Sequence, residues 1–403
     1  MYQHVRYDRR REEETGIYLF DWLQWVVLLL LFLMAMDFKN KFFYWAFASF
    51  GMMALYQRKA LHLPENVFPT IVLAISLSVF APSTKDSLLG ILRPFTYPFC
   101  VIMGYELLDG ASIRKKENQL IVVLVTLATG AFGHYLLNMI LNWGADVQRN
   151  TIDIWTKVTR AATGQAALAC LMVGVTCGML FCKVGKWKKL CACLVLASII
   201  VYNFQLAGRS LFIFIFIAFL FAFMIRFSIE RSNLVRTRMV VGVMVVVLLA
   251  IILVSVNAFG VVDKFVESNF YDRFYGEFSE SDISDDGRLP KKLNYMKYML
   301  DYPFGGGNIR KLAGYAHDII LDTYDEAGVF AMLAILVLLC SDALKCLRMY
   351  RNISLCGDTK VLFLTVFLLI VLQFMLEPIL LGTQWLMACY CVISGSLSRM
   401  TKS

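Results

Sequence analysis

The feature that most constrains this chain is the recurrence of apolar runs about 20 residues long, the length that crosses a bilayer core. Along the 403 residues such runs fall at roughly 17–36, 42–57, 66–82, 87–109, 119–141, 161–182, 190–207, 210–225, 239–260, 327–343, 360–378 and 383–397. Backbone amides in hydrocarbon must be satisfied within their own segment, so runs of this kind are helices. The charge content agrees: 17% of residues are charged, against about one quarter in soluble domains. The expected fold class is an all-α polytopic membrane protein of about twelve transmembrane helices, with one long extracytoplasmic loop containing short helices. Arg9-Arg10-Arg11 precedes the first run in the manner of a signal peptide. That run is long and has no small-residue cleavage pattern, so it reads as a permanent span.

Basic residues set the orientation. One series of loops holds Arg6 to Arg11, Arg58-Lys59, Arg114 to Lys116, Lys183 to Lys189, Arg226 to Arg238, Lys345 to Lys360, and Arg399 with Lys402. The alternate short loops hold only Lys39, Lys41, Lys85, Arg149, Lys157, Arg160 and Arg209. By the positive-inside rule the first series is cytoplasmic, and so are both termini. The expected organisation is a cytoplasmic tail at 1–16, nine spans over 17–260, an extracytoplasmic loop at 261–326, three spans over 327–397 and a tail at 398–403. The net charge of +9 is then a topology signal, with no basic–aromatic module for nucleic acid beside it. All eleven cysteines fall in spans or cytoplasmic loops, which indicates packing residues and no disulfide framework. No nucleotide-binding fingerprint is present, so ATP is not indicated as an energy source.

Polar residues concentrate at 287–328, which gathers Gly287-Arg288, Pro303-Phe304-Gly305-Gly306-Gly307 and His317-Asp318. Leu289 to Leu300 reads as a helix with Leu293, Met296 and Leu300 on one face, stopped by Pro303 and the glycines. The triplet serves either as a nest of amides for an anion or as a plain flexible turn. Asp263 to Phe274 reads as an amphipathic helix on the outer leaflet. The acids of 277–286 match no calcium loop and read as a solvated charge run. Arg209 stands in a very short outer turn, against the charge bias, as either a functional residue or a snorkelling helix end. Arg93, two turns into its span, reads as either a ligand for an anionic head group or a partner of Glu377. His134 reads as a hydrogen-bonded core histidine.

The order of these elements resembles the O-antigen polymerase and O-antigen ligase superfamily of bacterial surface-polysaccharide enzymes. The residues that carry the resemblance are Arg160 with Thr163-Gly164, Gly208-Arg209-Ser210, Gly287-Arg288, Pro303 to Gly307, Ala316-His317-Asp318 and Gly328. It covers about residues 160–345. Asp318 stands where the family usually has Asn, and Tyr295 stands near a common Trp. The resemblance implies a GT-C-like, metal-independent glycosyltransferase with no cofactor, in the bacterial cytoplasmic membrane. Its donor would be a polyprenyl-diphosphate-linked oligosaccharide, used on the outer face. A flippase and a chain-length regulator would be pathway partners. It further implies His317, Arg288 and Arg209 as catalytic residues, and Arg160, Gly305, Gly306, Gly307, Asp318 and Arg93 as substrate-binding ones. The chemistry is coherent, because a diphosphate leaving group suits arginine forks and a sugar hydroxyl suits a base near neutral pKa. Two other readings stay open: a ligase that passes glycan to a lipid or wall acceptor, and a lipid-linked oligosaccharide flippase or transporter.

Overall fold

The computed structural model describes residues 20–56, 61–84, 87–110, 112–144, 150–257, 260–266, 268, 271, 288–377 and 379–402. The basic tail, the acidic segment 277–286, Gly287 and most of the 263–274 stretch lie outside them. The chain is helical almost throughout. In order the helices are α1 (Trp22–Ala35), α2 (Phe42–Tyr56), α3 (Val67–Phe80), α4 (Leu88–Leu92), α5 (Thr96–Glu106), α6 (Ile113–Leu141), α7 (Ala162–Phe181), α8 (Lys186–Gln205), α9 (Arg209–Ile229) and α10 (Asn233–Ser255). Then come α11 (Val261–Val266), α12 (Arg288–Tyr298), α13 (Ile309–Ala313), α14 (Ile319–Arg351), α15 (Gly357–Phe374), α16 (Ile379–Gly382) and α17 (Gln384–Thr401). A helix coincides with each apolar run, and α4 joins α5 through a turn at Arg93–Phe95. Seven helices among the described residues are long and apolar enough to cross a membrane, and α1, α2 and α3 are shorter apolar helices.

Two details depart from the sequence reading. A two-stranded hairpin, β1 (Asn150–Ile152) with β2 (Thr159–Ala161), interrupts the all-helical chain, Thr151 facing Arg160 across it. Helix α14 starts at Ile319, well before the expected 327, because Asp318 caps it: the carboxylate accepts from Leu321 N at 2.8 Å. Asp at this position satisfies one of the orphan amides of a first turn.

Contacts between distant segments sort the turns into two ends. At one end Gln24 donates to Asp109, Glu117 accepts from Cys356 N, and Arg226 pairs with Asp358. At the other, Phe38 packs on Trp155, Arg93 donates to Gln384, and Phe80 stacks on Phe304. Each contact joins turns separated by an even number of apolar helices, as alternating crossings require.

Helix pairs approach closely where side chains are small, the usual means of association when lipid supplies no hydrophobic drive. At the α5–α17 crossing, a methyl on Gly104 would fall 2.7 Å from the Val392 carbonyl carbon, and one on Gly395 would fall 2.8 Å from that of Val101. Ser396 donates to Gly104 O at 3.0 Å across the same crossing. The loop segment has a small core of its own, made by Tyr295, Ile309, Ala316 and Tyr324. This shows which side of α12 packs inward. Tyr295 is buried, whereas Leu293, Met296 and Leu300 are exposed.

Candidate functional site

Consider first the end that holds the hairpin. Asp153 is buried and collects donors from three elements. Its Oδ1 accepts from Trp155 N and Thr156 N, both at 3.0 Å, which closes a local turn. Its Oδ2 meets His134 Nε2 of α6 at 2.9 Å and Arg160 Nη2 of β2 at 2.9 Å. Burial alone would raise the carboxyl, but the bond from His134 and the Arg160 charge hold it below the usual carboxylate range. The guanidinium of Arg160 is thereby fixed by an ion pair, with 15% of the side chain left exposed. Asp37, in the α1–α2 turn, is the next acid. Burial pushes its carboxyl up to about 7, against the pull of Arg160 and the Phe42 amide. Its backbone is left-handed, φ 46°, and Lys39 and Asn40 follow with φ 57° and 55°. Such backbone in non-glycine residues is strained and costs about 1–3 kcal/mol per residue.

The second assembly surrounds a break in α14. Gly328 has φ 77°, which interrupts the helical ladder. The glycine triplet repairs the break. Gly306 N donates to Glu326 O at 3.2 Å, Gly307 N to Asp325 O at 2.7 Å, and Val329 N to Pro303 O at 2.9 Å. All three glycines have positive φ, between 69° and 84°. Of the two sequence readings neither holds as stated: these amides serve neighbouring carbonyls, and the turn is pinned, not loose. Beside it Arg310, which the sequence reading did not single out, pairs with Glu326 and lies 3.9 Å from Asp325. Asp325 also accepts from Ile309 N at 2.9 Å.

A narrow crevice joins this assembly to Arg93. Its walls include Thr84, Arg93, Tyr97, Glu326 and Gln384. Arg93 Nη1 donates to Gln384 Oε1 at 3.3 Å, and its guanidinium lies 4.9 Å from the Phe43 ring centroid. Arg93 also acts on Asp37, as Arg160 does, so its charge links the two assemblies.

The remaining sequence candidates are placed as follows. Arg209 opens α9 after a turn in which Ala207 is left-handed and Asn203 Nδ2 donates to Gly208 O at 2.6 Å. Arg288 opens α12. His317 has φ 57° and stands 6.3 Å, ring to ring, from Tyr315. Asp318 caps α14 with one oxygen and meets Lys292 Nζ at 2.8 Å with the other. The structure thus joins Arg93 to the wall that carries the triplet, and Arg160 to Asp153. The residues that sequence reasoning missed are Asp37, His134 as a ligand of Asp153, Asp153 itself, Arg310 and Glu326. Only Asp153, followed by Thr156 as an Asx-type turn would have it, left a local signal.

Among the described residues, buried polar atoms without a hydrogen-bond partner at this same end include Arg93 Nε, Trp155 Nε1, Asp322 Oδ2, Gln373 Oε1, Thr383 Oγ1 and Trp385 Nε1. Each such atom costs about 1–3 kcal/mol if left unsatisfied. No protein-family model matches the chain, and no curated protein matches it.

Proposed function

We propose that the chain is a twelve-span membrane glycosyltransferase that polymerises polyprenyl-diphosphate-linked oligosaccharide units on the outer face of a bacterial cytoplasmic membrane, with both termini cytoplasmic. The observation that carries the reading is the gathering of Arg93, Arg160 and Arg310 at one end of the bundle. Two of them are held by buried carboxylates. The glycine triplet and His317 belong to the same side of the alternating helices. Supporting it are the residue order from Arg160 to Gly328 and the scarcity of basic residues in the short loops of that side.

In this reading a sugar hydroxyl attacks the anomeric carbon of the lipid-linked unit. A carbon–oxygen bond forms there as the bond to the diphosphate oxygen breaks. His317 takes the hydroxyl proton, a contribution worth about 10²–10⁴-fold. The pair of electrons leaves with the diphosphate, whose growing charge is met by Arg209, Arg288 and Arg93. Arg160 and Asp318 help seat the substrate. Gly305, Gly306 and Gly307 contribute by holding the α14 break that carries Glu326.

The test uses purified protein in mild detergent with a polyprenyl-diphosphate-linked oligosaccharide. Longer lipid-linked glycan together with released polyprenyl diphosphate is the expected product, abolished in His317→Ala. Unaltered products from His317→Ala and Arg209→Ala overturn the assignment of these residues. Glycan transferred only to an added lipid acceptor identifies a ligase, and translocation without bond formation identifies a flippase.

A further inference from the structure

The face of α12 turned away from the loop's small core carries apolar side chains that are exposed among the described residues. At 100° per residue Leu293 and Met296 fall together, away from Tyr295, and Leu300 follows in the turn just past the end of the helix. Tyr295 is 1% exposed, while Leu293, Met296 and Leu300 are 52%, 61% and 88% exposed. The segments that follow carry further exposed apolar side chains, Phe304, Leu312 and Tyr315, each more than half exposed. A polar loop that buries Tyr295 and turns Leu293, Met296 and Leu300 outward is not built for water alone.

The patch does not end at the loop. Phe304 stacks on Phe80, with ring centroids 5.4 Å apart and planes 25° from parallel. Phe80 is the last residue of α3, whose outward row of Phe68, Val72, Ile75 and Val79 is 45–63% exposed. That row belongs to an apolar helix of the bundle, so its exposed side faces hydrocarbon. The loop patch is therefore continuous with the surface that meets lipid. At its edges Lys297 and Lys311 are exposed, placed to reach phosphate oxygens while their stems lie on apolar surface. Aliphatic side chains flanked by tyrosine and lysine are the composition of an element that lies in the headgroup region.

We propose that α12 and the turn at Leu300–Phe304 insert their apolar face into the outer membrane leaflet beside α3, as an interfacial element. The occupant of this surface is phospholipid, at the level where acyl chains meet headgroups. The inference rests on exposure and on the stacking contact; the choice of the outer leaflet rests on the orientation proposed above, and none of it depends on the glycosyltransferase chemistry.

Single cysteines at Met296, Leu300 and, as the aqueous control, exposed Asp301 test it in protein reconstituted into phospholipid vesicles. The exposed native cysteines (Cys191, Cys193, Cys340 and Cys356) are replaced by serine. Leu300→Cys and Met296→Cys should react with a membrane-impermeant maleimide about tenfold more slowly than Asp301→Cys, as burial to 5–10 Å in the interface requires. A nitrobenzoxadiazole label at position 300 should be quenched by lipids spin-labelled near the headgroup and spared by aqueous iodide. Equal maleimide rates at 300 and 301, with iodide quenching, overturn the proposal. So does a disulfide-linked dimer through position 300, which would assign the face to a second copy of the chain. Should one variant fail to fold, the other serves, because Met296 and Leu300 are both exposed apolar residues of the same short segment.

Discussion

The Asp153 centre allows the sharpest quantitative prediction. In Asp153→Asn an amide nitrogen replaces an oxygen at a position where every neighbour is a donor. Arg160 and His134 meet one oxygen, and the Trp155 and Thr156 amides meet the other. Whichever way the amide turns, two donors oppose each other and the arginine loses its counter-ion. Breaking a buried ion pair from one side costs about 3–5 kcal/mol. Arg160 keeps 15% exposure, so we expect the lower end, about 3 kcal/mol. Arg160→Met leaves Asp153 with His134 and the turn amides, at a cost of about 1–2 kcal/mol. The double variant should then be better than the sum of the singles by about 1 kcal/mol or more. Denaturation in mild detergent, followed by tryptophan fluorescence, measures all three, with Trp155 as a local reporter beside Phe38. Additivity to within about 0.5 kcal/mol refutes the pairing. The sign with pH is also fixed. A depressed carboxyl stabilises fully above its ordinary pKa of about 3.9 and loses that contribution as pH falls below it. The gap between the native protein and Asp153→Asn should therefore be flat from pH 8 to pH 5. A gap that shrinks by half over that range contradicts the depressed titration.

The other expectations are shorter. Asp37 has the opposite sign. A carboxyl raised to about 7 contributes fully below the ordinary value and loses that contribution as pH climbs through 7. The native protein should be about 2–3 kcal/mol more stable at pH 5 than at pH 8 on this account, and Asp37→Asn should remove that slope in the same denaturation assay. Gly328 has φ 77° and ψ −168°, a region essentially reserved for glycine, so Gly328→Ala adds about 1–3 kcal/mol of backbone strain and a methyl 2.6 Å from Phe304 Cα. A large fall in the yield of monodisperse detergent-solubilised protein is expected, and an unchanged yield and melting temperature would show that the break tolerates a side chain. Arg93→Lys keeps the charge but loses the planar fork. If Arg93 meets diphosphate, product formation should fall about 10²-fold or more with the melting temperature near that of the native chain; an unaltered rate removes Arg93 from the site.

What sequence could and could not show divides along a physical line. The helices were legible because hydrocarbon forces every backbone group into local bonds, so run length alone decides. The capping role of Asp318 and the hub at Asp153 were harder to see. Asp153 draws its donors from α6 and from the far strand of its hairpin, and no local spacing records a partner in another helix. Arg310 was passed over because its partners, Asp325 and Glu326, lie on a helix whose break only the three-dimensional path reveals. The triplet was legible as a breaker, and its purpose became clear only with Gly328, 21 residues on from Gly307. The apolar face of α12 is the most instructive case, because the sequence shows the stripe and leaves its destination open. Periodicity finds an apolar stripe, and in a soluble domain the stripe points to the core. In a membrane protein apolar surface is equally at home against lipid, so the stripe names two destinations. Tyr295 resolves them. A tyrosine that must bury a large ring beside polar neighbours takes the protein side, and leaves Leu293, Met296 and Leu300 to the bilayer.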